Sequence, residues 1–156
     1  MKQTETIAAI ATALSDSGIG IVRISGEDAI EIGNRVYKSK NGCHNLKDYG
    51  SHTIHYGFIV DGEEILDEVM VAIMKAPNSY TKEDTVEINC HGGVLIMQKI
   101  LEAVLKQGAR LAESGEFTKR AFLNGRIDLA RAEAVMDLIH SRNEFALKSS
   151  VKQLKG

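Results

Sequence analysis

Apolar and polar positions follow two periods along this chain, and the two meet around residues 84–105. Val86, Ile88 and Cys90 alternate with Glu87, Asn89 and His91, the period of a half-buried strand. After Gly92 and Gly93, the residues Val94, Met97, Leu101 and Val104 recur at helical spacing, with Ile100 and Leu105 beside them. The pattern predicts strand, glycine turn, helix. Glu87 and Asn89 then share one strand face, while the apolar three enter a core. A carboxylate and an amide beside a turn where backbone can approach a ligand make a recognition edge. The blander reading, a solvated face of an edge hairpin, is the commoner setting for exposed strand carboxylates.

The same periods divide the rest of the chain. Ile7 to Ala13 predicts a first strand, and Ser15-Asp16-Ser17-Gly18 a turn. In Gly18–Gly26, Ile19, Ile21 and Arg23 fall on one strand face, Val22 and Ile24 on the other. These glycines are not a phosphate loop, because no Lys-Ser/Thr follows and no helix starts after the first of them. An arginine in an apolar strand needs a partner when buried, so Arg23 is either an anion ligand or half of a structural salt bridge. Ser25-Gly26-Glu27-Asp28 has the form of a helix N-cap, and Ala29, Ile30, Gly33, Val36 and Tyr37 follow at helical spacing. Lys38 to Gly50 is polar and predicts a loop.

Ile54, Tyr56, Phe58 and Val60 alternate cleanly up to the turn Asp61-Gly62, which predicts a strand. The denser run Ile65–Met74 reads as a central strand buried on both faces. Ala76 to Thr81 is a loop. Ala109 to Ala112 predicts a short strand, and Ser114 to Gly125 a short helix closed by Asn-Gly. Beyond the bridge Arg126–Leu129 a long helix begins, with Leu129, Ala132, Val135, Met136 and Ile139 as its apolar stripe, continuing through Phe145, Leu147 and Val151. That helix ends without turn chemistry to bring it back onto the first domain.

Composition narrows the picture. With 156 residues, 44% apolar and 26% charged, the chain fits one domain or one domain plus the start of another. Four Phe, four Tyr and no Trp imply a mainly aliphatic core. No apolar run approaches the roughly 20 residues needed to span a bilayer, and the N-terminal residues lack a signal-peptide pattern. Cys43 and Cys90 have no metal-ligand spacing, and a lone pair without an export signal reads as reduced, hence a cytoplasmic protein. Residues 119–156 carry 8 Lys and Arg against 4 Asp and Glu, and the preceding part 11 against 17. Polyanion binding by the first part is thereby disfavoured. The basic tail can approach nucleic acid, although scattered helix-surface lysines are the better explanation of it.

Three stretches carry a resemblance: Gly18–Gly26, Ala76–Gly93 and Gly115–Leu129. Through them the sequence closely resembles the N-terminal part of the MnmE (TrmE) family of bacterial tRNA-modification GTPases, gaplessly over APNSYTKEDTVEINCHGG and GEFTKRAFLNGRIDLARAEAVMDLI. The resemblance implies an α+β fold, a mixed β-sheet with flanking helices like the tetrahydrofolate-binding domain of glycine-cleavage aminomethyltransferase. It implies a tetrahydrofolate-binding and dimerisation domain over residues 1–118 and the beginning of a helical domain over 119–156. It further implies a homodimer that works with the flavoprotein MnmG on C5 of the wobble uridine of tRNA, with no membrane involved. The one-carbon donor would be a tetrahydrofolate derivative, 5-formyl- or 5,10-methylene-tetrahydrofolate.

Carried over position by position, the family's folate contacts fall on Arg23, Glu87 and Arg126. Their chemistry agrees. A carboxylate accepts the adjacent N–H and NH2 of a pterin as a pair, and arginine binds the two carboxylates of a folate tail as a planar fork. Either arginine suits the tail. The chain departs from the family in having no Gly-x-x-x-x-Gly-Lys-Ser/Thr loop and no Asn-Lys-x-Asp motif. GTP hydrolysis, with its Mg2+ and K+, is therefore expected of a longer parent, and this segment is expected to be a binding module rather than a catalyst. The alternative is a stand-alone folate-dependent one-carbon transferase, for which the chain is short. A cysteine enzyme built on Cys90 and His91 is disfavoured, because neighbouring strand residues point to opposite faces.

Overall fold

A computed structural model describes residues 5–12, 19–41 and 45–155, with side chains to residue 142. The turn expected at Ser15–Gly18, the residue Cys43 and the side chains of Phe145, Leu147 and Val151 lie outside the described part.

The protein is α+β, and its described residues form a 7-stranded mixed sheet and four α-helices. In chain order the strands are β1 (Ile7–Ile10), β2 (Gly20–Ser25), β3 (Tyr37–Ser39), β4 (Thr53–Asp61), β5 (Glu64–Met74), β6 (Thr85–Cys90) and β7 (Arg110–Leu111). The helices are α1 (Ala29–Val36), α2 (Gly93–Lys106), α3 (Glu116–Leu123) and α4 (Leu129–Lys155). Across the sheet the order is β3-β4-β5-β6-β2-β1-β7, with every pairing antiparallel except that of β1 with β7.

One face of the sheet is the core. Val22 and Ile24 of β2, Val69, Val71 and Ile73 of β5, and Val86, Ile88 and Cys90 of β6 are buried there beneath α1 and α2. Helix α2 contributes Met97, Ile100, Ala103 and Val104, the helical repeat visible in the sequence. The opposite face is open over β4 and β5, where Ile54, Tyr56 and Met70 are exposed. Strand β5, expected to be buried on both faces, is therefore buried on one. Its hydrogen bonds are shared on both edges, but among the described residues no helix covers its second face. Strand β6 is no edge hairpin either; it is the middle strand.

Three local expectations are corrected by tertiary contacts. Ser25 does not cap α1: Asp28 stands at the N-cap without a side-chain cap bond. The Ser25 hydroxyl instead lies 2.7 Å from Thr81 Oγ1 and donates to Glu83 Oε1 at 3.0 Å. Tyr37 does not extend α1 but starts β3, because its hydroxyl donates to the Tyr56 carbonyl at 2.7 Å and β3 pairs with β4. The segment 38–50, expected as loop, holds most of β3 and a 3-10 turn at Leu46–Asp48, anchored by the fully buried Leu46, whose N–H donates to Asn34 Oδ1 at 2.9 Å.

Helix α4 returns toward the first elements despite the lack of turn chemistry. Met136 packs over Gly115, Ala132 is buried and Ile139 reaches the cleft described below, while Leu129 of the same stripe stays exposed. Helix α3 is continuous across residues 118 and 119.

Candidate ligand-binding site

Antiparallel register puts directly opposed residues on one face of a sheet. A row of opposed residues crosses five strands on the open face: Ala9, Arg23, Glu87, Ala72 and Ile54. Arg23 and Glu87 are thus neighbours, and Arg23 Nε donates to Glu87 Oε2 at 2.7 Å. Both side chains keep about a quarter of their surface in solvent, 28% and 22%. The Arg23 guanidinium also sits 5.4 Å from the centre of the Phe117 ring on α3, within cation–π range. Of the two readings of Arg23, the salt bridge is present. It is not a sealed one, because among the described residues no partner engages Glu87 Oε1 or the two terminal nitrogens of Arg23.

A cleft of about 340 Å³ opens beside this pair, lined among others by Ala9, Arg23, Tyr80, Phe117, Thr118 and Ile139. A second cleft, of about 400 Å³, is lined by His52, Met74, Pro77, Asn78, Ser79, Tyr80 and Arg126. Arg126 follows the C-terminus of α3, where its N–H donates to the Ala121 carbonyl at 2.8 Å and leaves the side chain exposed. The structure therefore brings Arg23 and Glu87 into contact and puts Arg126 in the neighbouring cleft.

Asn89 and His91, although close in sequence, have structural partners. Asn89 Nδ2 donates to the Met70 carbonyl at 3.1 Å, and the N–H groups of His91 and Gly92 donate to Asp67 Oδ2 at 2.7 and 3.2 Å, at the start of α2. Cys90 is buried, its thiol donates to the Gly20 carbonyl at 3.3 Å, and burial pushes its pKa up to about 11. Such a thiol is no nucleophile near neutral pH.

Sequence reasoning passed over the residues that hold the clefts in shape. Tyr80, Phe117 and Thr118 line them, with the Tyr80 hydroxyl 3.2 Å from Thr118 Oγ1. Behind them lies an ion chain. Arg120, buried, donates from Nη1 to both oxygens of Glu83 at 3.1 and 3.3 Å, and from Nη2 to the Glu5 carbonyl and to Glu116 Oε2. Arg110 in turn grips both oxygens of Glu116 at 3.0 and 2.6 Å. The four-residue spacing of Glu116 and Arg120 was a readable signal of this. In the charge count Arg120 belonged to the basic tail; buried against two carboxylates, it is not available to a polyanion. Among the described residues no group of three or more His, Cys, Asp or Glu is gathered to hold a metal, and no helix is long and apolar enough to cross a membrane.

Residues 6–126 match the family model described as GTP-binding protein TrmE N-terminus. A protein of Lachnoclostridium phytofermentans named tRNA modification GTPase MnmE is 64% identical over 154 residues, covering 99% of this chain and 34% of its own length. Proteins of the same name from Thermoanaerobacter pseudethanolicus and Streptococcus thermophilus are 60% and 57% identical, over 97% and 99% of this chain and 33% of their own length. The chain spans about a third of the length of these relatives. With the family model matched over most of its length, the chain belongs to the TrmE N-terminal family, the N-terminal part of the tRNA-modification GTPases MnmE.

Proposed function

We propose that this chain is the segment of a tRNA-modifying GTPase that binds a tetrahydrofolate one-carbon donor and pairs with a second copy of itself. The fold is read accordingly as that of the tetrahydrofolate-binding domain of glycine-cleavage aminomethyltransferase. The observation that carries the folate reading is the partly exposed Arg23–Glu87 pair, beside a cleft that Arg23 lines. Its donors and acceptors fit the group: Glu87 keeps an oxygen with lone pairs for the N–H and NH2 of a pterin, and Arg23 keeps two nitrogens for a ring oxygen. Bound there, 5-formyl- or 5,10-methylene-tetrahydrofolate would supply the one-carbon unit for C5 of the wobble uridine. MnmG, tRNA and the GTP, Mg2+ and K+ of the longer parent belong to the same cytoplasmic reaction.

Calorimetric titration with 5-formyltetrahydrofolate tests this reading. Glu87→Ala should leave the fold intact, since the residue lies on the open face, and remove a charge-assisted paired contact worth about 2–4 kcal/mol, roughly 30- to 1000-fold in affinity. Undiminished binding by that variant overturns the pterin assignment.

The homodimer is supported by the open face itself. Tyr56 opposes Met70 and Ile54 opposes Ala72, so Ile54, Tyr56 and Met70 form one apolar patch that is exposed among the described residues. A twofold, self-complementary contact would cover it. The wild-type chain should scatter light as a dimer at micromolar concentration, and Ile54→Asp combined with Met70→Asp should return it to the monomer mass. A double variant that stays dimeric would move the interface elsewhere.

A further inference from the structure

The hydrophobic core stops at Ala109. Among the described residues no apolar side chain beyond it belongs to the cluster beneath α1 and α2. The residues of α3 and α4 that are buried, Thr118, Arg120, Ala121 and Ala132, are small or polar. The backbone leaves the sheet at nearly the same place. Ala112 N–H donates to the Ala8 carbonyl at 2.9 Å, and each later backbone bond outside the regular helices joins two residues within 113–132. Gly115 then turns the chain into α3 at φ +78°.

Polar side chains hold α3 against the sheet instead. Arg120 donates to Glu83 and to the Glu5 carbonyl, Glu116 accepts from Arg110, and Asn124 Nδ2 donates to the Thr81 carbonyl at 2.7 Å. The hydroxyls of Thr118 and Tyr80 lie 3.2 Å apart, and Phe117 lies over the Arg23 guanidinium. Helix α4 packs chiefly on α3, so closely that a side chain at Gly115 would collide with Met136 Sδ. The two helices are thus tied to each other by packing and to the sheet by charge and hydrogen bonds. A charge pair that separates into water recovers the solvation it gave up, so such a junction parts more easily than two apolar faces do.

We propose that α3 and the first turns of α4 form a hinged flap, turning at Ser114–Gly115, which opens as one body while the sheet, α1 and α2 stay folded. The pairs Arg120–Glu83 and Arg110–Glu116 are its latch. Opening lifts Phe117 off Arg23 and draws Ile139 away from the cleft of about 340 Å³ beside it, uncovering Ala9 and Arg23 on the strand side. The flap therefore gates that cleft, and it does so independently of the folate reading.

Amide hydrogen exchange of the whole chain in rising urea tests this. Residues 119–124 and 132–139 should share one opening equilibrium, populated at least about tenfold more than the opening of β2, β5 and β6 and with a smaller urea slope. Val71→Ala, in the core beneath the sheet, destabilises the flap-closed and flap-open forms alike. It should speed strand exchange by about 30-fold and leave the flap amides within about twofold of wild type. Glu83→Gln, which removes a charge from the latch, should speed the flap amides by about tenfold. Flap amides that follow the strands, with the same urea slope and the same response to Val71→Ala, overturn the hinged opening. Helix amides that exchange each at its own rate overturn it too, because that is fraying. The wild-type slopes decide between these outcomes without any variant. Unchanged flap exchange in Glu83→Gln overturns the charge latch.

Discussion

Arg120→Met should destabilise this protein by about 3 kcal/mol, the low end of what removing one partner from a buried ion pair costs. The guanidinium has only 4% of its side-chain surface exposed and faces Glu83 and Glu116, which are 16% and 12% exposed. Methionine fills much of the volume but leaves the Glu83 carboxylate with the Ser25 hydroxyl in place of a matching charge, and the Glu5 carbonyl without the Arg120 donor. For a chain of this size the loss corresponds to a fall in melting temperature of roughly 6–12 °C. Arg120→Lys should fall in between, because an ammonium keeps the charge but cannot reproduce the planar fork. A loss below about 1 kcal/mol in urea unfolding would mean that solvent screens the chain of charges as it does a surface pair.

The same ion chain has a defined pH dependence. The hydrogen bonds from Arg110 hold the Glu116 carboxyl at about 2, below its ordinary 4.5, against a smaller upward push from burial. A carboxylate with a depressed folded-state pKa stabilises the fold above its unfolded pKa, and that contribution is lost as pH falls through the folded value. The stability of the wild type should therefore decline between pH 4.5 and about 2 more steeply than that of Glu116→Gln. Parallel urea midpoints for the two proteins across that range would remove Glu116 as the titrating group.

Gly26→Ala should destabilise the fold by about 2–4 kcal/mol. Gly26 closes β2 at φ +142°, a conformation that favours glycine. An added Cβ would also lie 2.6 Å from Thr6 Cα and 2.6 Å from Thr6 Oγ1. Thr6 cannot yield easily. Its carbonyl accepts from Arg110 N–H at 2.9 Å, and its hydroxyl oxygen accepts from Asp28 N–H at 2.9 Å. Gly62→Ala is the matched control, since Gly62 also has positive φ, +62°, but nothing stands within 4 Å of its would-be Cβ. That control should cost about 1 kcal/mol, the left-handed backbone penalty alone. Equal urea midpoints for the two variants would show that the approach of Thr6 is not what requires glycine at residue 26.

The glycines of Gly18–Gly26 illustrate how far the chain can be read without its fold. Their spacing excluded a phosphate loop, yet nothing local shows that Gly26 is needed because Thr6, twenty residues earlier, presses against it. The alternation 86–91 and the helical repeat 94–105 were legible because side-chain direction follows from the periods of strand and helix alone. For the same reason the face carrying Arg23 and the face carrying Glu87 could each be assigned separately. That the two faces are one, and that the two side chains touch, depends on β2 lying antiparallel to β6 in the register that opposes Arg23 to Glu87.

Pairing between residues 64 positions apart is decided by how the whole sheet buries its apolar face, and no local pattern encodes it. The misreadings share that cause. Strand β5 is apolar enough for two buried faces, but helices cover only one; Ser25 has the chemistry of a cap, but Thr81 and Glu83 reach it first. Arg120 looked like one more surface charge until α3 turned it inward onto Glu83. The sequence by itself determined the local elements, the candidate charged residues and the family, because these are properties of spacing and composition. Only the tertiary structure decided which charges neutralise one another and which stay open to solvent, because that depends on distances across strands and helices far apart in the chain.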